Sequence, residues 1–432
     1  MARAGGTVWT LLALVERRPE PVWSSIAEAF KHLQSYVRDH HERGSLPRVT
    51  DGPGGADAAS ARTAYRWLLG AVVLSLLAFG VGAAWDRAWH TRNPFEDFFS
   101  PPHLFIYTTH VLATMALAKI AFTAELRRHF GPPMRMPVFG EMPAALMLAG
   151  GGFGVIALAG LLDALWHSTF GLDETAWSLP HSMLGSGILL SLLGFVSARL
   201  ALSTDRPLTR WAPALFAVLL VGTMLGVLLG PLDNYRSLEH VRAVARIPIL
   251  AATPEFQHTA RIHEQWNLTR LNPLFIPLSA LVIGLGLSFA RRLVAAVWVF
   301  LLVALAATLL SGERGTAEYL GIANDLKNTA PVPYILPALT FAILAPTRLG
   351  EAWSWRIGGL VYGAATNALW PAGLAPLLAA APAMALGAPL GDKIAEITRA
   401  PDTRVWRLLM LVGVGLPAVT GAMDLVLRSR TP

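Results

Sequence analysis

Apolar stretches long enough to cross about 30 Å of hydrocarbon as a helix recur roughly every 30 to 40 residues from position 65 onward. A backbone in lipid must satisfy its own polar groups, so stretches of this kind leave little choice but helices. The pattern predicts spans near 65–86, 103–125, 143–166, 181–203, 211–230, 272–290, 293–311, 332–347, 357–371, 373–390 and 406–427. The expected fold is therefore all-α, a polytopic membrane bundle of about ten or eleven helices. Composition agrees: 54% of the 432 residues are hydrophobic and 15% are charged, against roughly 25% charged in soluble domains. Around 357–390, Asn367, Trp370, Pro371 and many small residues leave open a broken or re-entrant helix.

Three regions follow. Residues 1–62 form an amino-terminal cytoplasmic or interfacial segment with a linker. In it, Trp23, Ile26, Ala27, Phe30, Leu33 and Val37 fall on one face of an amphipathic helix. No removed signal peptide is predicted. Residues 63–210 form a first bundle, and 211–432 a second one with a long loop at 231–271. Arg62, Arg66, Arg127, Arg128, Arg135, Arg199, Arg206, Arg210, Arg291 and Arg292 flank alternate span ends. The positive-inside rule then puts the amino terminus in the cytoplasm and the loop 231–271 outside, in a bacterial inner or plasma membrane. With its basic residues spread over short loops, the charge of +7 reads as a topology signal and not as a nucleic-acid surface.

The chain has no cysteine, which removes disulfides, thiolate metal sites, iron–sulfur clusters and cysteine nucleophiles together. Any metal must rest on His, Asp, Glu, Asn or Met. Two places concentrate such residues. The first reads Trp85-Asp86-Arg87-Ala88-Trp89-His90, followed by Ser100-Pro101-Pro102-His103; the second reads Leu162-Asp163-Ala164-Leu165-Trp166-His167, followed by Ser178-Leu179-Pro180-His181. Asp and His four apart share a helix face. A short loop then returns the chain, and Pro opens the next helix where its missing N–H costs nothing. Each hairpin can thus bring a carboxylate and two imidazoles together, a donor set that suits Cu, Zn or Fe(II) better than Mg or Ca. The bland alternative is an internal duplication whose Asp–His pairs staple hairpins by hydrogen bonds.

At these residues the chain resembles the C subunit of the copper membrane monooxygenases, the particulate methane and ammonia monooxygenases. That subunit is a helical membrane protein. One of its copper sites takes Asp, a His four later and a His on the next helix; another has the same layout with Asn for Asp. Asp86, His90 and His103 match the first pattern, and Asp163, His167 and His181 match the second with Asp163 in place of Asn. The segment from Arg92 to His103 also looks like the family's approach to its third ligand. The resemblance covers about residues 80–190; the carboxy-terminal spans have no evident counterpart. It implies metal sites at Asp86, His90, His103, Asp163, His167 and His181, occupied by copper, with zinc or iron as alternatives. It further implies an oxidoreductase acting on a small apolar or lipophilic substrate, with the lipid bilayer, other membrane subunits or further copies of the chain as partners.

A non-catalytic copper-handling or sensing protein would use the same ligands, and a zinc-dependent membrane hydrolase is a third reading. Other polar residues stand near the motifs. His110 lies two turns after His103, and either bonds a metal ligand or packs in the core. Asp97, Asp173 and Glu174 sit in the two site loops, and Asp233, Asn234, Glu239, His240, His258, His263 and Glu264 in the long loop. Met134, Met136, Met142 and Met147 are read as packing before soft Cu(I) contacts, and Trp353 and Trp355 as an interfacial belt.

Overall fold

The structure, a computed structural model, describes residues 55–90, 98–136, 140–170, 178–202, 274–293, 333–369, 372–402 and 404–428, with single residues between 248 and 308. Most of the amino-terminal segment, the spans expected near 211–230 and 293–311, and the loop 231–271 lie largely outside these residues. The described chain is helical apart from one short hairpin. Helix α1 (Gly55–Leu76) runs through a π-helical turn, Leu77–Gly82, into α2 (Ala83–His90). Then come α3 (Pro101–Phe122), the short α4 (Ala124–Arg127), and strands β1 (Pro133–Met136) and β2 (Gly140–Pro143), paired antiparallel. Next are α5 (Ala144–Phe170), α6 (Leu179–Ala201), α7 (Phe275–Leu293), α8 (Ile335–Leu344), α9 (Gly350–Leu369) and α10 (Leu374–Arg399). The last rod is α11 (Val405–Met410), a second π-helical turn (Leu411–Gly415) and α12 (Leu416–Arg428).

Seven described stretches are long and apolar enough to cross a membrane: Asp57–Gly82, Pro101–Phe122, Ala144–Thr169, Leu179–Ala201, Phe275–Leu293, Leu374–Arg399 and Val405–Ala422. This is an integral membrane helical bundle. The first span begins eight residues before its expected start, because Ala61, Ala64 and Leu68 are already buried. The region around 357–390 holds two helices, of which Leu374–Arg399 is long and apolar enough to cross a membrane. Asn367 Oδ1 accepts the backbone N–H groups of Ala372 and Gly373 at 2.8 and 2.9 Å, closing a tight turn between two separate helices.

In lipid, apolar side chains gain little by leaving tails for one another, so helices associate where small residues let backbones touch. Two pairs pack in this way. On α10, a Cβ added to Gly387 or Gly391 would land on the Leu281 or Leu285 carbonyl of α7. On α6, one added to Gly194 would strike the Ala149 backbone of α5. Trp355 stacks on Phe341 with ring centroids 4.3 Å apart and is buried, so it belongs to the core, whereas Trp353 is exposed beneath Arg356.

The expected span ending at 390 in fact continues to Arg399, which carries Asp392 into the bundle. There Asp392 accepts from Arg292 Nη2 at 2.7 Å and from Ser288 Oγ at 2.6 Å, and Arg291 Nη2 lies 3.2 Å away. The other end of the Arg291 guanidinium donates to Glu351 Oε1 at 2.6 Å. One buried arginine thereby ties α7 to both α9 and α10. Removing one member of such a group leaves an uncompensated charge, at a cost of about 3–5 kcal/mol. Asp392→Asn should therefore lower the midpoint of thermal unfolding in detergent by several degrees, and more than Lys393→Ala does. An unchanged midpoint would show that the cluster is not holding the helices.

A second clasp lies where α1 begins. Arg128 Nη2 pairs with Asp57 at 2.5 Å, and His129 Nε2 meets Ser60 Oγ at 2.7 Å. The Ser60 hydroxyl is also directed at the Asp57 carbonyl, so His129 donates. Burial holds the His129 imidazole below its ordinary value, with Asp57 opposing. A base whose folded value is depressed contributes stability that is complete above about 6.5 and lost as pH falls through the folded value. On acidification from about pH 8 to pH 5, the wild type should lose more thermal stability than His129→Gln. Parallel losses would contradict the assignment.

Candidate metal centre

Both motifs occupy the same place in the fold. Each carboxylate stands near the end of a rod, Asp86 in α2 and Asp163 in α5, and each returning His opens the antiparallel partner, α3 or α6. The two helix starts are near copies. Ser100 has φ −55° and ψ 150°, Ser178 has φ −49° and ψ 148°, and each is followed by Pro at the first helical positions. The Leu104 N–H donates to the Ser100 carbonyl at 3.0 Å, and the Ser182 N–H to that of Ser178 at 2.9 Å. Successive long helices reverse direction, so both motifs lie at one end of the bundle, opposite the β1–β2 hairpin.

The π-helical turn Leu77–Gly82 stands just before Asp86. An extra residue in a helical turn rotates everything beyond it, so this turn sets the face on which Asp86 emerges. Gly82 lies within the turn where α3 crosses most closely, and a Cβ there would strike the Ile106 side chain. Nothing in the apolar pattern announced that turn.

In the first hairpin, Asp86 Oδ1 lies 3.1 Å from His103 Nε2. His90 closes α2 one turn beyond Asp86, and its side chain lies outside the described residues. The His103 ring stacks on Tyr107, one turn along α3, with centroids 5.7 Å apart, and Tyr107 meets Phe98 at 5.0 Å. Sequence reasoning missed Tyr107, although its i+4 spacing from His103 was a usable signal. In the second hairpin all three expected residues meet at one atom: Asp163 Oδ1 is 3.5 Å from His167 Nε2 and 3.8 Å from His181 Nδ1. That oxygen is buried, and among the described residues no donor reaches it with hydrogen-bond geometry.

Carboxylate oxygens and imidazole nitrogens are donors of the kind metal ions take. Nitrogen and oxygen ligands at about 2.0–2.2 Å from a common ion stand about 3–4 Å from one another, and the three measured separations lie in that interval. Among the described residues, however, no group of three or more His, Asp or Glu side chains is placed so that it could hold a metal ion. The carboxylates and imidazoles approach one another directly and are not spread around a centre. Direct Asp–His contact is the geometry expected of stapled hairpins as well as of unliganded metal sites.

The remaining expectations divide clearly. His110 is buried between Phe79 and Phe153, with ring centroids at 6.2 and 4.9 Å. The Phe153 backbone is within reach of its ring, and among the described residues no carboxylate or metal-motif side chain is seen bonded to His110, which packs in the core. Met142 and Met147 are buried where α5 begins. At 1.5 Å per residue Met147 lies about 24 Å from Asp163 along α5, and Met142 stands beyond it in β2, which excludes both as contacts to an ion there. Asp97, Asp173, Glu174, Asp233, Asn234, Glu239, His240, His258, His263 and Glu264 lie outside the described residues.

No protein-family model, curated protein or solved structure matches the chain. A buried imidazole with a ring nitrogen left unsatisfied costs about 1–3 kcal/mol in desolvation, which an apolar ring of similar shape does not incur. His110→Phe should therefore raise the unfolding midpoint in detergent while leaving metal content unchanged. Loss of bound metal in that variant would return His110 to the site.

Proposed function

We propose that the two hairpins are a duplicated metal centre and that the protein is a copper-dependent membrane oxidoreductase acting on a small apolar or lipophilic substrate. The observation that carries the reading is the meeting of His167 and His181 on the buried Asp163 Oδ1, at 3.5 and 3.8 Å, with Asp86 and His103 in the same layout at 3.1 Å. The donor set of carboxylate and imidazole without thiolate suits copper, and the resemblance of residues 80–190 to the C subunit of the copper membrane monooxygenases favours it over zinc or iron. When bound, copper would supply one-electron chemistry toward oxygen. The protein's residues would do the rest: Asp86, His90 and His103 hold one ion, and Asp163, His167 and His181 another. Tyr107 backs the His103 ring. Leu104, Val111 and Leu112 present an apolar α3 surface beside it, by which a lipophilic substrate would arrive from the bilayer. We place both centres toward the outer face, with the amino terminus in the cytoplasm.

Copper handling or sensing without catalysis is the second reading, favoured by ligands that serve storage equally well. Elemental analysis of the purified chain, paired with oxygen consumption under a reductant, separates these functions. Wild-type protein should carry two copper ions and consume oxygen, and His103→Ala should lose one ion and the oxygen uptake. Copper retained without oxygen uptake would favour handling. Zinc alone, with turnover of lipid esters or amides, would favour a hydrolase. Full copper content in His90→Ala, His103→Ala, His167→Ala and His181→Ala alike would end the metal reading.

A further inference from the structure

Ser197 Oγ donates to the Thr398 carbonyl at 2.5 Å, so α6 and α10 end side by side, at the end of the bundle that holds the β1–β2 hairpin. Arg291 and Arg292 close α7 there, and α9 starts there with Gly350 and Glu351. Three exposed tryptophans stand beside exposed arginines at this end: Trp67 next to Arg66, Trp353 one turn from Arg356, and Trp406 next to Arg407. Tryptophan gathers where hydrocarbon gives way to headgroups.

The α9 pair is the most developed of the three. Trp353, Arg356 and Leu360 are all exposed and recur at the spacing of one helix face, whereas Trp355 and Gly359 between them are buried. The Arg356 guanidinium lies over the Trp353 ring, 5.0 Å from its centroid. At 1.5 Å per residue Arg356 stands about 9 Å along α9 from Gly350, and Trp353 is a turn nearer the helix start. The guanidinium is therefore bent back toward the membrane edge, as a long cationic side chain rooted in hydrocarbon does to reach polar surroundings. No carboxylate meets it there. Glu351, the single acidic residue of α9, is taken up by Arg291 at 2.6 Å. Among the described residues neither Arg356 nor Arg348, exposed in the turn that leads into α9, forms an ion pair.

We propose that the Trp353–Arg356 face of α9 is a docking site for one anionic phospholipid of the leaflet on the hairpin side. The Arg356 guanidinium holds the lipid phosphate, Trp353 braces that guanidinium, and an acyl chain runs past Leu360 toward the bilayer centre. A guanidinium over an indole keeps N–H groups free for phosphate, which it can take through two parallel bonds. Arg348 adds positive charge at the level of the headgroup. A zwitterionic lipid brings its own cation to the same place and gains less.

The test uses the full chain in neutral detergent, titrated with phosphatidylglycerol or with phosphatidylcholine of the same acyl chains, and read by native mass spectrometry. Wild-type protein should retain phosphatidylglycerol in preference to phosphatidylcholine. Arg356→Gln should weaken phosphatidylglycerol about fivefold, the equivalent of the ~1 kcal/mol that one basic residue contributes at an anionic surface. Trp353→Ala should weaken it about two- to fivefold. Both side chains are exposed, and unchanged phosphatidylcholine binding is the control for folding. Lys393→Ala removes a cation from the same end, but Glu396 already meets that ammonium at 2.8 Å, so this variant should stay within about twofold of wild type. Inorganic phosphate added at constant ionic strength should not displace the lipid, because it brings no acyl chain. Equal retention of the two lipids, or unchanged affinity in Arg356→Gln, would overturn the proposal. Equal loss in Lys393→Ala would reduce the site to diffuse charge, and displacement by phosphate would make it a site for a soluble anion; either result also overturns it.

Discussion

A polar group placed at membrane depth must find its partner inside the protein, and this requirement organises both halves of the molecule. Hydroxyls in the spans meet it locally. Ser75, Ser191 and Ser279 each donate to the carbonyl four residues back on their own helix. Charged groups cannot be satisfied that way, and where they occur they decide which helices lie together. Arg291 draws Glu351 and Asp392 onto one guanidinium. Asp163 gathers His167 from its own helix and His181 from the next.

These two clusters stand for different solutions to one problem. Around Arg291 the charges are opposite in sign, and Glu351 and Asp392 take both ends of the guanidinium, so its work is architectural. Around Asp163 two imidazole nitrogens stand 3.5 and 3.8 Å from a buried carboxylate oxygen, farther than the contacts that close the arginine cluster. That contrast is the physical reason for reading the hairpins as a binding centre and the arginine cluster as a clamp.

The two hairpins match in the signals that turn the chain and differ around their carboxylates. Both copies keep Pro in the first turn, the same serine backbone angles and the same cap hydrogen bond, all of which are needed to reverse the chain at the bilayer edge. They differ in which imidazole nitrogen faces the carboxylate, in how far solvent reaches it and in what the capping hydroxyl touches. The first copy is further elaborated by Tyr107 stacked on His103.

The sequence by itself determined the class of structure, because long apolar stretches in a cysteine-free chain admit only helices in a membrane. It also determined the hairpins, since Asp and His four apart must share a helix face and Pro must open the following helix. Tertiary structure decided everything that depends on rotation about a helix axis or on contact between distant segments. The π-helical turn that aims Asp86 carries no apolar signature. The descent of Asp392 into the bundle followed from α10 continuing past the apolar run, because Arg291 and Arg292 were waiting on α7. His110 and Trp355, polar or interfacial by residue type, went to the core because neighbouring rings surround them. The unequal turning of His103 and His181 could not be read from near-identical motifs, because a ring's orientation is fixed by the side chains packed against it and not by the spacing that brings it there.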